Sequence, residues 1–237
     1  MQYIAHRVNT RAQLTGVPVE YGVEIDLRDR GQRLILEHDP FGDGENFSDY
    51  LIDYRHATMI LNIKSERIEH RVLDELRQTD TVVDYFFLDS SFPMIRALVA
   101  MGERRIAVRF SEYEPIEQAL SLAGQVDWVW VDCFTHLPLD EATYTRLTAA
   151  FKICLVSPEL QGHSLHRIEE FADQIAPFDI DAVCTKRPDL WRAAMDGSAP
   201  ESAPVSLGSY LDENEFHPHV GRLMDVRLYD MAAGSDW

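Results

Sequence analysis

Tyr21-Gly22-Val23-Glu24-Ile25-Asp26 is a short apolar run that ends in two carboxylates, and Leu34-Ile35-Leu36-Glu37-His38-Asp39 repeats that form further on. Residues two apart on a strand point the same way, so Glu24 and Asp26 present both carboxylates to one face. Gly31, flanked by Arg30 and Gln32, reads as the turn of a hairpin that carries the second strand into Leu34–Leu36. A third apolar run opens the chain, where Ile4-Ala5 leads into His6-Arg7. Each of these runs behaves as a strand that hands over to chemistry-bearing residues at its C-terminal end.

The same form recurs along the chain. Strands are predicted over Tyr3–His6, Gly22–Asp26, Met59–Ile63, Tyr85–Leu88, Ile106–Arg109, Trp128–Asp132, Ile153–Val156 and Ala182–Thr185. Amphipathic helical stretches fall between them at Ser65–Leu76, Phe92–Met101, Pro115–Leu122, Leu139–Ala150, Leu165–Ala176 and Pro188–Met195. Ser65, Ser91 and Asp140 are placed as N-caps, Gly102 and Gly124 as stops. This alternation argues for a parallel α/β fold, and eight repeats fit a (β/α)8 TIM barrel with a small hairpin insertion after strand two. A doubly wound sheet is the alternative, but it would gather polar strand ends at one switch point. Here they recur at every turn: His6-Arg7, Glu24-Asp26, Asn62-Lys64, Asp89, Arg109, Asp132, Ser157-Glu159 and Lys186.

Bulk properties set the outer limits. At 237 residues and 46% hydrophobic content the chain suits one barrel and not a barrel plus a second full domain. The expected division is a barrel domain over 1–196 and a linker and tail over 197–237, beginning Gly197-Ser198-Ala199-Pro200. Apolar residues from Tyr210 to Tyr229 suggest that the tail packs on the barrel or on a partner subunit, as in a homo-oligomer. His217-Pro218-His219 within it reads as a surface turn, because no third ligand stands nearby.

Lys+Arg 22 against Asp+Glu 40 gives a net charge of -18, which opposes nucleic-acid and anionic-membrane partners. No apolar stretch reaches the roughly 18 residues that a membrane span needs. Met1 enters the first strand at once, so a cytoplasmic protein without a signal peptide is expected. Cys133, Cys154 and Cys184 form no CxxC pair and sit in apolar runs, as buried free thiols do. Phosphate-binding glycine loops, nucleophile elbows and HExxH helices do not occur.

The order His6-Arg7, Glu24-Ile25-Asp26, His38-Asp39 resembles the glycerophosphodiester phosphodiesterase family, a branch of the phospholipase-C-like barrels. The resemblance spans about residues 1–190 and is tight over the first 64. It implies that His6 and His38 are the acid/base pair, and that Glu24 and Asp26 hold one divalent cation, Mg2+ or Ca2+. The chemistry is sound on its own terms. Imidazoles exchange protons near neutrality, a divalent cation neutralises phosphodiester oxygens, and Arg7 offers a planar fork to them. The implied substrate is a small-molecule phosphodiester.

This chain departs from the family pattern in three places. Val8 follows His6-Arg7 where the family has glycine, with Asn9 next in line. Leu61-Asn62-Ile63-Lys64 places an amide where the family has its third acidic ligand, so Asn62 becomes a neutral ligand of reduced affinity. Lys64 keeps its place facing phosphate, and Lys186 stands where the family often has an aspartate. Arg109 and Lys186 add positive charge at the mouth, while Asp132, Glu159 and Gln161 suit the hydroxyls of a polyol or sugar. Trp128 and Trp130 read as packing residues. The competing function is a non-hydrolytic relative that binds a sugar phosphate or polyol phosphate, as in cell-surface polysaccharide assembly. The lost acid at Asn62 favours it, and the retained histidine pair opposes it. Transfer to a cyclic phosphate uses the same two histidines and is not separable from hydrolysis by sequence.

Overall fold

Ten strands and eight α-helices follow one another in a structure, a computed structural model, that describes residues 1–79 and 84–198. The strands are β1 (Gln2–Ala5), β2 (Gly22–Arg30), β3 (Arg33–Leu36), β4 (Glu45–Asn46), β5 (Met59–Ile63), β6 (Tyr85–Leu88), β7 (Ala107–Phe110), β8 (Trp128–Val131), β9 (Lys152–Val156) and β10 (Ala182–Thr185). The helices are α1 (Arg11–Gly16), α2 (Phe47–Asp53), α3 (Glu69–Thr79), α4 (Phe92–Ala100), α5 (Ile116–Leu120), α6 (Glu141–Thr148), α7 (Arg167–Ile175) and α8 (Pro188–Asp196). All eight expected strands are present within a residue or two of their predicted bounds, except that β2 runs four residues further, to Arg30.

Parallel pairing runs from β7 through β8, β9, β10 and β1 to β2, then on through β5 to β6. The result is a strongly curled mixed α/β sheet. Between β6 and β7 the contact is one bridge, Phe87 to Ile106, with the Phe87 amide donating to the Arg105 carbonyl at 2.8 Å. β2 is long enough to leave the parallel sheet, turn at Gly31, and pair antiparallel with β3, which in turn pairs with β4. Strands buried on both faces read as unbroken apolar runs, and Met59–Ile63 and Trp128–Val131 are buried throughout.

The helices cover the outside of the curl. Asp140 caps α6, its side chain accepting from the Thr143 amide at 2.7 Å. Ser91 stands at the N-cap of α4 but gives its hydroxyl to Glu66 Oε1 at 2.7 Å instead of capping. α3 starts at Glu69, later than the pattern predicts, because Arg67 sits at φ 68° and breaks the helical path after Ser65. α1 and α2 were not foreseen; α1 has a capping box in which Thr10 accepts from the Gln13 amide. The tryptophans pack as expected: Trp128 is 5% exposed and stacks on Phe86 at 4.5 Å between ring centres. Cys133, Cys154 and Cys184 are free and buried, and burial pushes all three thiols up.

Among the described residues, no helix is long and apolar enough to cross a membrane. Most of the expected tail, with His217-Pro218-His219 and any subunit contact through it, lies outside the described residues.

Candidate active site

Because the eight strands run parallel, their C-terminal ends share one edge of the sheet, and the polar strand ends collect there. β1 delivers His6 and Arg7. The His6 amide donates to the Thr185 carbonyl of β10 at 2.9 Å, which fixes the backbone beside its neighbouring strand. Arg7 then takes φ 57°, a left-handed conformation disfavoured for any residue that carries a Cβ. That twist aims its amide at Glu24 Oε2, 2.7 Å away. A glycine would reach the same conformation without strain.

Glu24 and Asp26 lie on one face of β2, both buried. Glu24 Oε1 accepts from the Asn62 side-chain amide at 2.8 Å, and His6 Nε2 stands 3.8 Å from Oε2. Asp26 is gripped by Asn9, whose Nδ2 donates to Oδ2 at 2.9 Å while its Oδ1 accepts the Asp26 amide at 2.8 Å. Arg7 Nε is 3.6 Å from Asp26 Oδ2, and Lys64 Nζ is 3.5 Å from Oδ1. Burial, and after it the Glu24 carboxylate, raises the Asp26 pKa. Burial also pushes His6 down to about 3, helped by Arg7, Lys186 and Lys64 and opposed by Asp26. His6 is therefore a neutral imidazole across the physiological range, unable to arrive carrying a proton, and it acts as a base only where the proton it receives is stabilised, as by Glu24 Oε2 at 3.8 Å.

The His38 side chain stands outside this network: its partner among the described residues is Asp39, and its backbone carbonyl meets Arg28. His38 follows β3, after Glu37 has donated its amide to the Asp26 carbonyl at 3.0 Å. Its Nδ1 lies 2.8 Å from Asp39 Oδ1, and the ring is partly open to solvent. With Nδ1–H donating to Asp39, Nε2 becomes the atom that exchanges protons.

A chain of charges extends round the edge. Lys64 Nζ is 3.6 Å from Asp89 Oδ2. Arg109 forks onto Asp89 at 2.7 and 3.0 Å and reaches Asp132 Oδ2 at 2.9 Å. Burial by itself would raise Asp89, but Arg109 and Lys64 hold it below the usual carboxylate value. For Asp132 burial wins, and its pKa is raised despite Arg109. Gln161 Nε2 donates to Asp132 Oδ1 at 2.6 Å, and Trp130 Nε1 approaches Oδ2 at 3.4 Å. Glu159 is occupied in joining β9 to β10: its Oε1 accepts from Thr185 Oγ1 at 2.6 Å and the Lys186 amide at 2.9 Å, and its Oε2 from Ser157. The Lys186 side chain has no ion pair among the described residues.

The structure thus brings His6, Arg7, Glu24, Asp26, Asn62 and Lys64 into one contact network. Arg109 and Asp132 join it through Asp89, while Glu159 is turned into the wall below Lys186. Sequence reading left out Asn9 as a partner of Asp26, Asp89 as the link between Lys64 and Arg109, and Arg28. For Arg28 the signal was available, since it continues the alternation Glu24, Asp26 by one more step.

A cation site can be judged from the donors. Among the described residues, no three His, Cys, Asp or Glu side chains gather as a ligand set. A third oxygen would have to come from elsewhere. Asn62 Oδ1 is buried with no hydrogen-bond partner, next to two buried carboxylates, and an orphaned acceptor of that kind fits a hard cation.

No family model matches the chain, and no curated protein matches it. Solved structures do. A glycerophosphodiester phosphodiesterase from Agrobacterium tumefaciens str. C58 matches with a TM-score of 0.56 and 17% identity, over 81% of this chain and 99% of that one. A second protein of that organism, described by assignment as a glycerophosphoryl diester phosphodiesterase, matches with a TM-score of 0.62 and 14% identity, over 83% and 98%. At such identities the likeness is one of fold.

Proposed function

We propose that this chain is a phosphodiesterase that cleaves a small glycerophosphodiester-like substrate by general acid–base catalysis between His6 and His38. The observation that carries the reading is the neutral, half-buried His6 beside the Glu24–Asp26 pair, on the edge where Lys64 and Arg7 can meet a phosphate. We read the curled sheet, with its Phe87–Ile106 bridge, as a (β/α)8 barrel in which β3 and β4 are inserted after the second strand. The two phosphodiesterase structures that share the fold support that reading. The barrel is assigned to 1–196, and a cytoplasmic location is proposed with it.

The roles divide by environment. His6 is held unprotonated and takes the proton of the attacking water or hydroxyl. His38, set by Asp39, gives a proton to the departing oxygen. Arg7 and Lys64 face the phosphoryl oxygens, and Lys186, free of any described ion pair, is the cation best able to turn to an incoming anion. Arg109 and Asp132 hold each other at the rim. Glu24, Asp26 and Asn62 Oδ1 would hold one Mg2+ or Ca2+, which would supply charge neutralisation at the non-bridging oxygens.

The second reading is a relative that binds a sugar phosphate or polyol phosphate without cleaving it. The Asn62 to Glu24 hydrogen bond favours it, since it satisfies a carboxylate that catalysis would leave for a cation. A panel of phosphodiesters, assayed with and without Mg2+ and Ca2+, separates the two. Turnover that is lost in His6→Ala and His38→Ala supports the enzyme, whereas tight binding of a sugar phosphate with no turnover of any diester supports the binder.

A further inference from the structure

We propose that Arg28 is a positioning residue that holds the His38 loop and the Lys64 strand end in fixed relation. The inference rests on the acid–base reading above and adds a residue to it. β2 lies between β3 on one side and β5 on the other, with Leu27 paired to Leu36 and to Ile63. Arg28 follows Glu24 and Asp26 on the same face of that strand, opposite Ile35 of β3 and one residue beyond the last pair with β5, so its side chain stands beside the C-terminal ends of both neighbours. Its guanidinium spans them. Nε and one terminal nitrogen donate to the His38 carbonyl at 3.1 and 2.7 Å, and the other terminal nitrogen donates to the Lys64 carbonyl at 2.8 Å.

Only a guanidinium does this with one side chain. Its donors lie in a rigid plane, so two carbonyls held by it are fixed in distance and in angle. A lysine in its place offers one point of charge and can favour one carbonyl over the other. No carboxylate forms an ion pair with Arg28 among the described residues, so the side chain is committed to these two backbone groups. The consequence is functional. His38 would otherwise hang from β3 on a partly exposed loop, and its distance from a phosphate at Lys64 would vary. A misplacement of about 1 Å at a reacting centre costs on the order of a hundredfold in rate.

The test uses Arg28→Ala and Arg28→Lys in the full chain, with bis(4-nitrophenyl) phosphate as the probe. Both variants should lower kcat by about tenfold to a hundredfold, on the scale expected for a misplaced catalytic group. Guanidinium chloride at low millimolar concentration should restore part of the Arg28→Ala rate, and equal urea should not. A folded Arg28→Ala with the parent's kcat overturns the proposal, as does a loss of rate that guanidinium leaves untouched. If Arg28→Ala does not fold, Arg28→Lys decides by the same drop in kcat, and parental turnover in it overturns the proposal. A second readout is independent of turnover. The His38 ring signal, assigned by its absence in His38→Ala, should shift and broaden in both Arg28 variants while the His56 signal stays. An unmoved His38 signal overturns the proposal. A parent that cleaves no phosphodiester sinks the enzymatic reading alone, and the ring signal still decides the role of Arg28.

Discussion

Asp26 shows how much of the site depends on neighbours that a motif does not contain. It is buried beside a second carboxylate, and the cost of that burial is met by Asn9, Lys64 and Arg7 together. Removing Asn9 strips two hydrogen bonds from the strand and its side chain. Asn9→Ala should therefore destabilise the fold by about 1–3 kcal/mol, the cost of leaving a buried polar group unpaired, measured by urea denaturation. Parental stability would mean that water replaces Asn9 at no cost. Asn62 gives the opposite test. Asn62→Asp removes the donor to Glu24 and sets a third carboxylate next to two others. Without divalent cations its melting temperature should fall below the parent's, and Mg2+ or Ca2+ should raise it, with tighter binding by calorimetry than in the parent. If neither protein binds either ion, the cation leaves the mechanism. The histidines, Glu24, Asp26 and Lys64 were legible in sequence because their order and strand-end spacing carry them. Asn9 was not, because its partner lies 17 positions away and only the fold brings them together; the strand alternation pointed to the face of Arg28 but not to its partners, 10 and 36 positions away.

At the scale of elements, alternating apolar runs and amphipathic stretches were enough to place the eight parallel strands, since strands buried on both faces have no other sequence form. The short pieces were harder. β4 spans two residues and α1 six, too little for any periodicity; α1 rests on the Thr10–Gln13 capping box and β4 on the return of the chain to pair with β3. That return brings backbones into close approach. A Cβ on Gly44 would lie 1.9 Å from the Leu36 carbonyl oxygen, whereas one on Gly31, at φ 62°, meets nothing within 4 Å. The two glycines therefore fail differently. Gly31→Ala should cost only the left-handed backbone penalty of about 1–2 kcal/mol and leave activity near the parent's. Gly44→Ala must push β4 away from β3, and the displaced connection is the one that carries His38. It should cost about 1–3 kcal/mol and also lower kcat on a confirmed diester. Thermal melts and rates on the pair check this, and equal rates in both would show that the His38 loop does not depend on the β3–β4 contact.

The whole molecule is acidic, with a net charge of -18, yet it carries Arg7, Lys64, Arg109 and Lys186 on one edge of the sheet. Arg7, Lys64 and Arg109 are matched there by Asp26, Asp89 and Asp132, so Lys186 is the cation on that edge without a described ion pair, and a polyanion meets no extended basic surface. Burial, helped by Arg7, Lys186 and Lys64, links the site to global stability through His6. Its pKa is about 3 in the folded chain against 6.5 for the free side chain. Between those values the unfolded chain takes up a proton at His6 that the folded chain does not. Stability is greatest above pH 6.5 for this group and is lost as the pH falls through the window. Asp26 acts with the opposite sign, because a raised carboxyl pKa makes the folded chain the better proton binder. Asp26 is present in the parent and in a His6 variant alike, so the difference between the two reads the His6 contribution. Unfolding free energies of the parent and of His6→Gln, measured in urea from about pH 7 to about pH 4, should therefore diverge. The parent's curve should fall more steeply by about 1.4 kcal/mol per pH unit, the equivalent of one proton. Parallel curves would mean that His6 titrates as a free histidine does. The imidazole would then be substantially protonated at pH 6, and the base in the proposed reaction would have to be sought in His38.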